Sequence, residues 1–111
     1  MLKTVEDNEF NAFIGGSFYV MIGFYHPSAE KKESMFNLME AFQEGHGNVS
    51  SATMDISKNK IPDDYGITED VGPVIVIFKQ GQPIKAFNKD AFTLETLATA
   101  IAPPGKNITL Q

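Results

Sequence analysis

Two hydrophobic periods alternate along this chain. Residues 18–25 (FYVMIGFY) are apolar almost throughout, and residues 74–79 (VIVIFK) form a second such run. Unbroken apolar stretches of this length predict strands covered on both faces, since a half-exposed strand would alternate. Residues 49–56 (VSSATMDI) do alternate, small or polar with apolar, and predict a strand parallel to the first run. Residues 2–5 predict a short edge strand. Between these lie positions at helical spacing. Phe10, Phe13 and Ile14 follow Asp7 as N-cap, and Met35, Leu38, Met39 and Phe42 follow Ser28 as N-cap with Pro27 just outside. Leu94, Leu97, Ala98 and Ile101 share a face behind Thr93, and Phe92 and Leu97 are spaced for a hydrophobic staple.

Breakers separate the elements. Gly15-Gly16 and Gly45-His46-Gly47 stop the first two helices. Residues 61–65 (IPDDY) predict a helical turn or two, with Pro62 at the first position. Residues 66–72 then read as loop leading to Pro73. Gln80-Gly81 predicts a two-residue turn, with residues 82–87 as the return strand of a hairpin. The order is β α β α β (α) β β α. It predicts one α/β domain over residues 1–102, a central mixed sheet with helices on both faces, and a loose tail over 103–111.

Composition narrows the function classes. A 111-residue chain with nine Phe and a 42% apolar fraction can close one core. It has net charge -5, no arginine and scattered lysines, so it lacks the concentrated basic face that nucleic acid or an anionic membrane would require. No stretch approaches the roughly 18 apolar residues of a membrane span. Cysteine is absent, which removes disulfides, thiolate metal sites and thiol mechanisms. The opening MLKTVEDNEF has acidic residues where a signal peptide has a basic patch and an apolar run. A natural start at Met1 implies a cytoplasmic protein, whereas excision from a longer chain leaves an extracytoplasmic or endoplasmic-reticulum origin open.

Four local signatures, in order, resemble the thioredoxin superfamily, protein disulfide isomerase domains included. Phe24-Tyr25-His26-Pro27 is similar to the stretch before the redox motif. Met54-Asp55-Ile56 resembles the strand that ends in an acidic residue, and Tyr65-Gly66-Ile67 followed by Pro73 resembles the approach to the cis-proline. Phe78-Lys79-Gln80-Gly81 is similar to the hairpin. The resemblance implies a thioredoxin-like fold.

The departures are chemical. Where the family carries Cys-x-x-Cys, this chain has Ala29, Glu30, Lys31 and Lys32, and at the buried proton-accepting carboxylate it has Gly23. Thiolate attack and resolution have no atoms here to perform them. The stretch from Ile67 to Pro73 is also longer than in thioredoxin itself. The resemblance thus implies a redox-inactive module that binds a protein or an unfolded peptide, in an adaptor or chaperone-like role, with no cofactor and a monomeric or weakly dimeric state. The alternative is a monothiol oxidoreductase whose cysteine at position 29 was replaced by alanine.

By the same resemblance, Pro73 is cis and turns the backbone of Gly72 outward for an extended peptide to pair with. Tyr25, Pro27, Val71 and Ile67 supply an apolar floor, and Ser28 and Ala29 complete the binding set. Other candidates have plainer readings. Residues 30–33 read as a solvated first helical turn, His26 as an exposed turn histidine, and Ser28 as a cap without a partnered base. The two histidines lie too far apart for a metal site, and the acidic residues between 55 and 70 fit no calcium loop. Asn48-Val49-Ser50 and Asn107-Ile108-Thr109 match the glycosylation acceptor pattern.

Overall fold

The computed structural model describes residues 2–68, 73–88 and 93–101. The tail over 103–111, Phe92 of the expected staple, and Val71 and Gly72 of the expected binding set lie outside these residues. The apolar run becomes the central strand β2 (Tyr19–Tyr25), after β1 (Lys3–Thr4) and helix α1 (Asp7–Gly15). Helix α2 (Lys32–Gly45) leads to β3 (Val49–Asp55), and the short α3 (Ile61–Asp64) precedes the hairpin β4 (Val74–Lys79) and β5 (Gln82–Asn88). Helix α4 (Leu94–Ala100) closes the described fold.

The five strands form one mixed sheet in the order β1-β3-β2-β4-β5. β2 runs parallel to β3 and antiparallel to β4, so both of its edges are paired. Residues 18–25 show no alternation because α1 and α3 cover one face of the sheet, and α2 and α4 cover the other. On the first face Val20, Ile22 and Phe24 meet Phe10 and Ile14 of α1 and Phe78 of β4. On the second, Tyr19 and Met21 meet Met35, Met39 and Phe42 of α2 and Leu97 beyond. Fully buried side chains of this size contribute about 1.5–3 kcal/mol each.

Gly23 lies at the centre of the second face. A Cβ there would stand 2.5 Å from Met39 Sδ and 2.8 Å from Met35 Cε. The bare backbone therefore lets α2 approach β2, and two thioethers fill the space that a side chain would take.

Capping departs from the expected pattern in two places. Asp7 does not cap its own helix. Glu6 holds that position, and its N–H donates to the Glu9 carboxylate (3.1 Å). Asp7 instead accepts from the N–H groups of Lys60 (2.7 Å) and Ile61 (3.0 Å), capping α3 across more than fifty residues. Its own N–H donates to Asn59 Oδ1 (2.8 Å), and Asn59 Nδ2 donates to the Asp55 carbonyl (2.8 Å). Ser28 caps nothing, because α2 starts later, with Lys31 as its N-cap. Thr93 is an N-cap as expected, accepting from Thr96 N–H (3.1 Å). Leu94, expected on the buried face of that helix, is 47% exposed, and burial falls to Leu97 and Ile101.

The hairpin turn places Gln80 at φ 53° and Gly81 at φ 82°, the paired positive values of a tight two-residue turn. The ladder slips between Ile77 and Phe78, where Phe78 pairs with Pro83 and Ile84 bulges out. Proline has no N–H to give the ladder, so the irregularity sits beside it.

Two positions test this packing by urea denaturation. Asp7→Ala strips α3 of its cap and lowers stability by about 1–2 kcal/mol. Gly23→Ala costs about 1 kcal/mol, because the atoms it meets end flexible side chains. Gly23→Asp adds an unpaired buried carboxylate and costs about 3 kcal/mol or more.

Candidate functional site

The strand register gathers the expected site residues at one end of the sheet. Tyr25 ends β2 opposite Asp55, which ends β3, and Ile56 N–H donates to the Tyr25 carbonyl (2.8 Å). Phe24 pairs with Val74, so Pro73 stands one residue further, beside Tyr25, and is buried.

Residues 26–31 form the link to α2. Ala29 N–H donates to the His26 carbonyl (2.9 Å), closing a turn. His26 Nδ1 accepts from Ser28 N–H (3.1 Å) and lies 2.7 Å from Ser28 Oγ. The expectation that Ser28 is a cap without a partnered base is thereby corrected. The hydroxyl that was expected to cap α2 is engaged by the imidazole, which is why the helix begins later. Accepting at Nδ1 places the ring proton on Nε2. This contact spans two residues within one exposed turn, and it holds the turn's shape. Pro27, Ser28, Glu30 and Lys31 are exposed, and Ala29 and Lys32 half-buried. Lys32 Nζ donates back to the Pro27 carbonyl, tying the helix start to the turn. An ammonium thus occupies the position at which the resemblance implies a resolving thiol.

Tyr25 and Ile67, expected on one apolar floor, face opposite sides of the sheet. Tyr25 packs edge to face on Phe36 of α2, with ring centroids 5.1 Å apart, and joins the core beneath that helix. Ile67 joins the core on the α1 side. There, Tyr65, Ile67, Val74, Val76, Ile84 and Ala86 line an apolar cavity of about 430 Å³. The sequence reading missed Tyr65, Ile84 and Ala86. An isoleucine set between Pro83 and Lys85 on the return strand was the available signal.

Among the described residues no group of His, Asp or Glu is arranged to hold a metal ion. No helix of the described residues is long and apolar enough to cross a membrane. Asp55 is buried, and its Oδ1 accepts from Ser57 N–H (2.8 Å) and Ser57 Oγ (2.6 Å). It therefore serves the turn after β3.

No family model matches this sequence, and no curated protein matches it. The fold does have solved counterparts. A thioredoxin from Plasmodium falciparum superposes with a TM-score of 0.79 at 16% identity, over 91% of this chain and 100% of that one. Mitochondrial thioredoxin 3 from Saccharomyces cerevisiae gives 0.75 at 20% identity, over 91% and 92%. A mutant thioredoxin from Halobacterium salinarum gives 0.77 at 18%, over 90% and 86%. The chain has the thioredoxin fold, with no cysteine in it.

Two phenols report on the electrostatics. Burial pushes the Tyr25 hydroxyl above its ordinary value of 10.0, and the charges of Asp55 and then Glu6 add to this. Burial and Asp64 act likewise on Tyr65. A raised folded value favours the protonated form, so this contribution to stability is complete below pH 10 and is lost as pH rises through the folded values. Urea midpoints are expected to fall above that pH, and to fall less in Tyr25→Phe and Tyr65→Phe. Phenolate absorbance followed through the same titration checks the assignment.

Proposed function

We propose that this chain is a redox-inactive thioredoxin-fold domain that binds an extended, partly apolar peptide beside Pro73. The observation that carries this reading is the apolar cavity on the α1 side, which begins at Val74 directly after Pro73 and runs along the edge strand β5. Its concave apolar lining suits side chains of a partner. Ala29 and Lys32 supply no thiol chemistry, and the thioethers at Gly23 leave no space for a buried proton acceptor. Binding is the activity that these residues retain.

Titrating isotope-labelled protein with an unfolded polypeptide tests the reading. Amide shifts are expected at residues 25–29, at Ile67 and Val74, and along residues 84–86. Ile84→Asp, at a position 44% exposed, is expected to weaken binding about tenfold while leaving the fold intact. Shifts elsewhere, or none, refute it. Insulin reduction is expected at background for the chain and for its Ala29→Cys variant, and turnover by that variant would favour the monothiol alternative.

A further inference from the structure

The turn between α2 and β3 carries a motif that peptide binding leaves unused. Asn48-Val49-Ser50 matches the acceptor pattern for an N-linked glycan, with no proline between the asparagine and the hydroxyl residue. Such a glycan is bulky and hydrophilic, so its asparagine must lie on the surface and clear of the core.

The fold supplies that placement. Val49 N–H donates to the His46 carbonyl (3.0 Å), closing a four-residue turn with Gly47 and Asn48 at its tip. His46 anchors one side, its ring stacked on Phe42 at 4.1 Å and its Nδ1 donating to the Phe42 carbonyl (3.0 Å). Val49 anchors the other, buried in the core beneath α2. Asn48 is exposed and immediately precedes β3, and its side chain has no hydrogen-bond partner among the described residues. A Cβ on Gly47 would meet nothing within 4 Å, so the tip is uncrowded. No other described asparagine has a hydroxyl residue two positions on, and Asn107 of the second triplet lies outside the described residues.

The turn also stands away from the candidate binding site. Val49 pairs with Tyr19 at one end of β2, and Asp55 pairs with Tyr25 at the other. At a rise of about 3.3 Å per residue, the two ends are about 20 Å apart. The apolar cavity runs along β5, with β2 and β4 between it and β3. A glycan on Asn48 therefore leaves that cavity open.

We propose that Asn48 is an acceptor for an N-linked oligosaccharide. In the transfer, Asn48 Nδ2 attacks the anomeric carbon of an oligosaccharide carried on a lipid pyrophosphate. A C–N bond replaces the C–O bond to the pyrophosphate, which leaves with the lipid. The amide gives up one proton to a basic group of the transferase, and no oxidant or reductant is needed. The fold adds a condition on timing. Ser50 lies within β3, paired with Val20, and its Oγ is 2.6 Å from Ser17 Oγ. A transferase that must reach Asn48 and the Ser50 hydroxyl together finds the second one engaged. Transfer thus precedes closure of the β2–β3 ladder, and the glycan enters the fold at a turn that accommodates it.

The full chain, led into the secretory lumen of a eukaryotic cell by a cleavable signal peptide, tests this in an Asn107→Gln background. Peptide mass spectrometry is expected to find one glycan, on Asn48, removed by an amidase that leaves an aspartate in its place. Asn48→Gln and Ser50→Ala are each expected to abolish it. Urea midpoints of the secreted chain before and after deglycosylation are expected to coincide. Given a purified transferase and the lipid-linked donor, the folded chain is expected to accept no glycan, and the destabilised Gly23→Asp variant to accept one. An unmodified Asn48 in the secreted chain overturns the proposal, as does a glycan found only on unfolded, retained chain. Modification of the folded chain as fast as of Gly23→Asp overturns the timing. Peptide binding beside Pro73 is read at the other end of the sheet, so either reading can fail alone.

Discussion

The close approach of α2 to β2 depends on a side chain that is missing. Gly23 presents bare backbone at the middle of the central strand, and Met35 and Met39 settle into the space above it. Interiors are close-packed, so such a gap must be filled by neighbours or leave a void that destabilises the fold. Methionine fills it well because its thioether is flexible. The same filling puts apolar side chains directly over Gly23. Where the resemblance implies a carboxylate beneath two thiols, this molecule has sulfur packed on backbone, and the chemistry and the packing have changed together.

Much of the fold was legible because its signals are local and periodic. The run at residues 18–25 announced a strand buried on both faces, and the stripe at Met35, Met39 and Phe42 announced the helix laid across it. Gln80-Gly81 announced the hairpin. What escaped depends on partners distant in sequence or on competition between neighbours. Asp7 looks like a cap for its own helix, and only the folded chain brings Lys60 and Ile61 to its carboxylate. Ser28 has the chemistry of a cap, but His26 reaches its hydroxyl first. Leu94 shares a helical face with Leu97 but lies one turn too early to be covered.

The site was legible in part for the same reason. Tyr25, Pro27 and Pro73 do share one end of the sheet, because parallel and antiparallel neighbours of β2 both meet there. The single floor joining Tyr25 to Ile67 could not be judged from a list of apolar residues, since face is decided by strand alternation and the path of the loop. Glu33 and Glu40 line a groove with Leu2 and Thr4 only because β1 joins the sheet beyond β3, an arrangement with no signature in either segment alone.

The hydrogen bonds of Asp7 also bear on the order in which the molecule assembles. The β4–β5 hairpin is the sheet's most local pair, while β1 meets β3 across 49 residues and β2 meets β4 across 50 to 60. Closing so long a loop costs entropy before any contact compensates it. The two-residue β1 holds the amino-terminal segment to β3, and the Asp7 carboxylate holds it to the start of α3 just beyond. Once the first of these contacts has closed the loop, the second forms at little further entropic cost. Two contacts that share one loop closure support each other, so losing either leaves the other to bear the whole entropic cost.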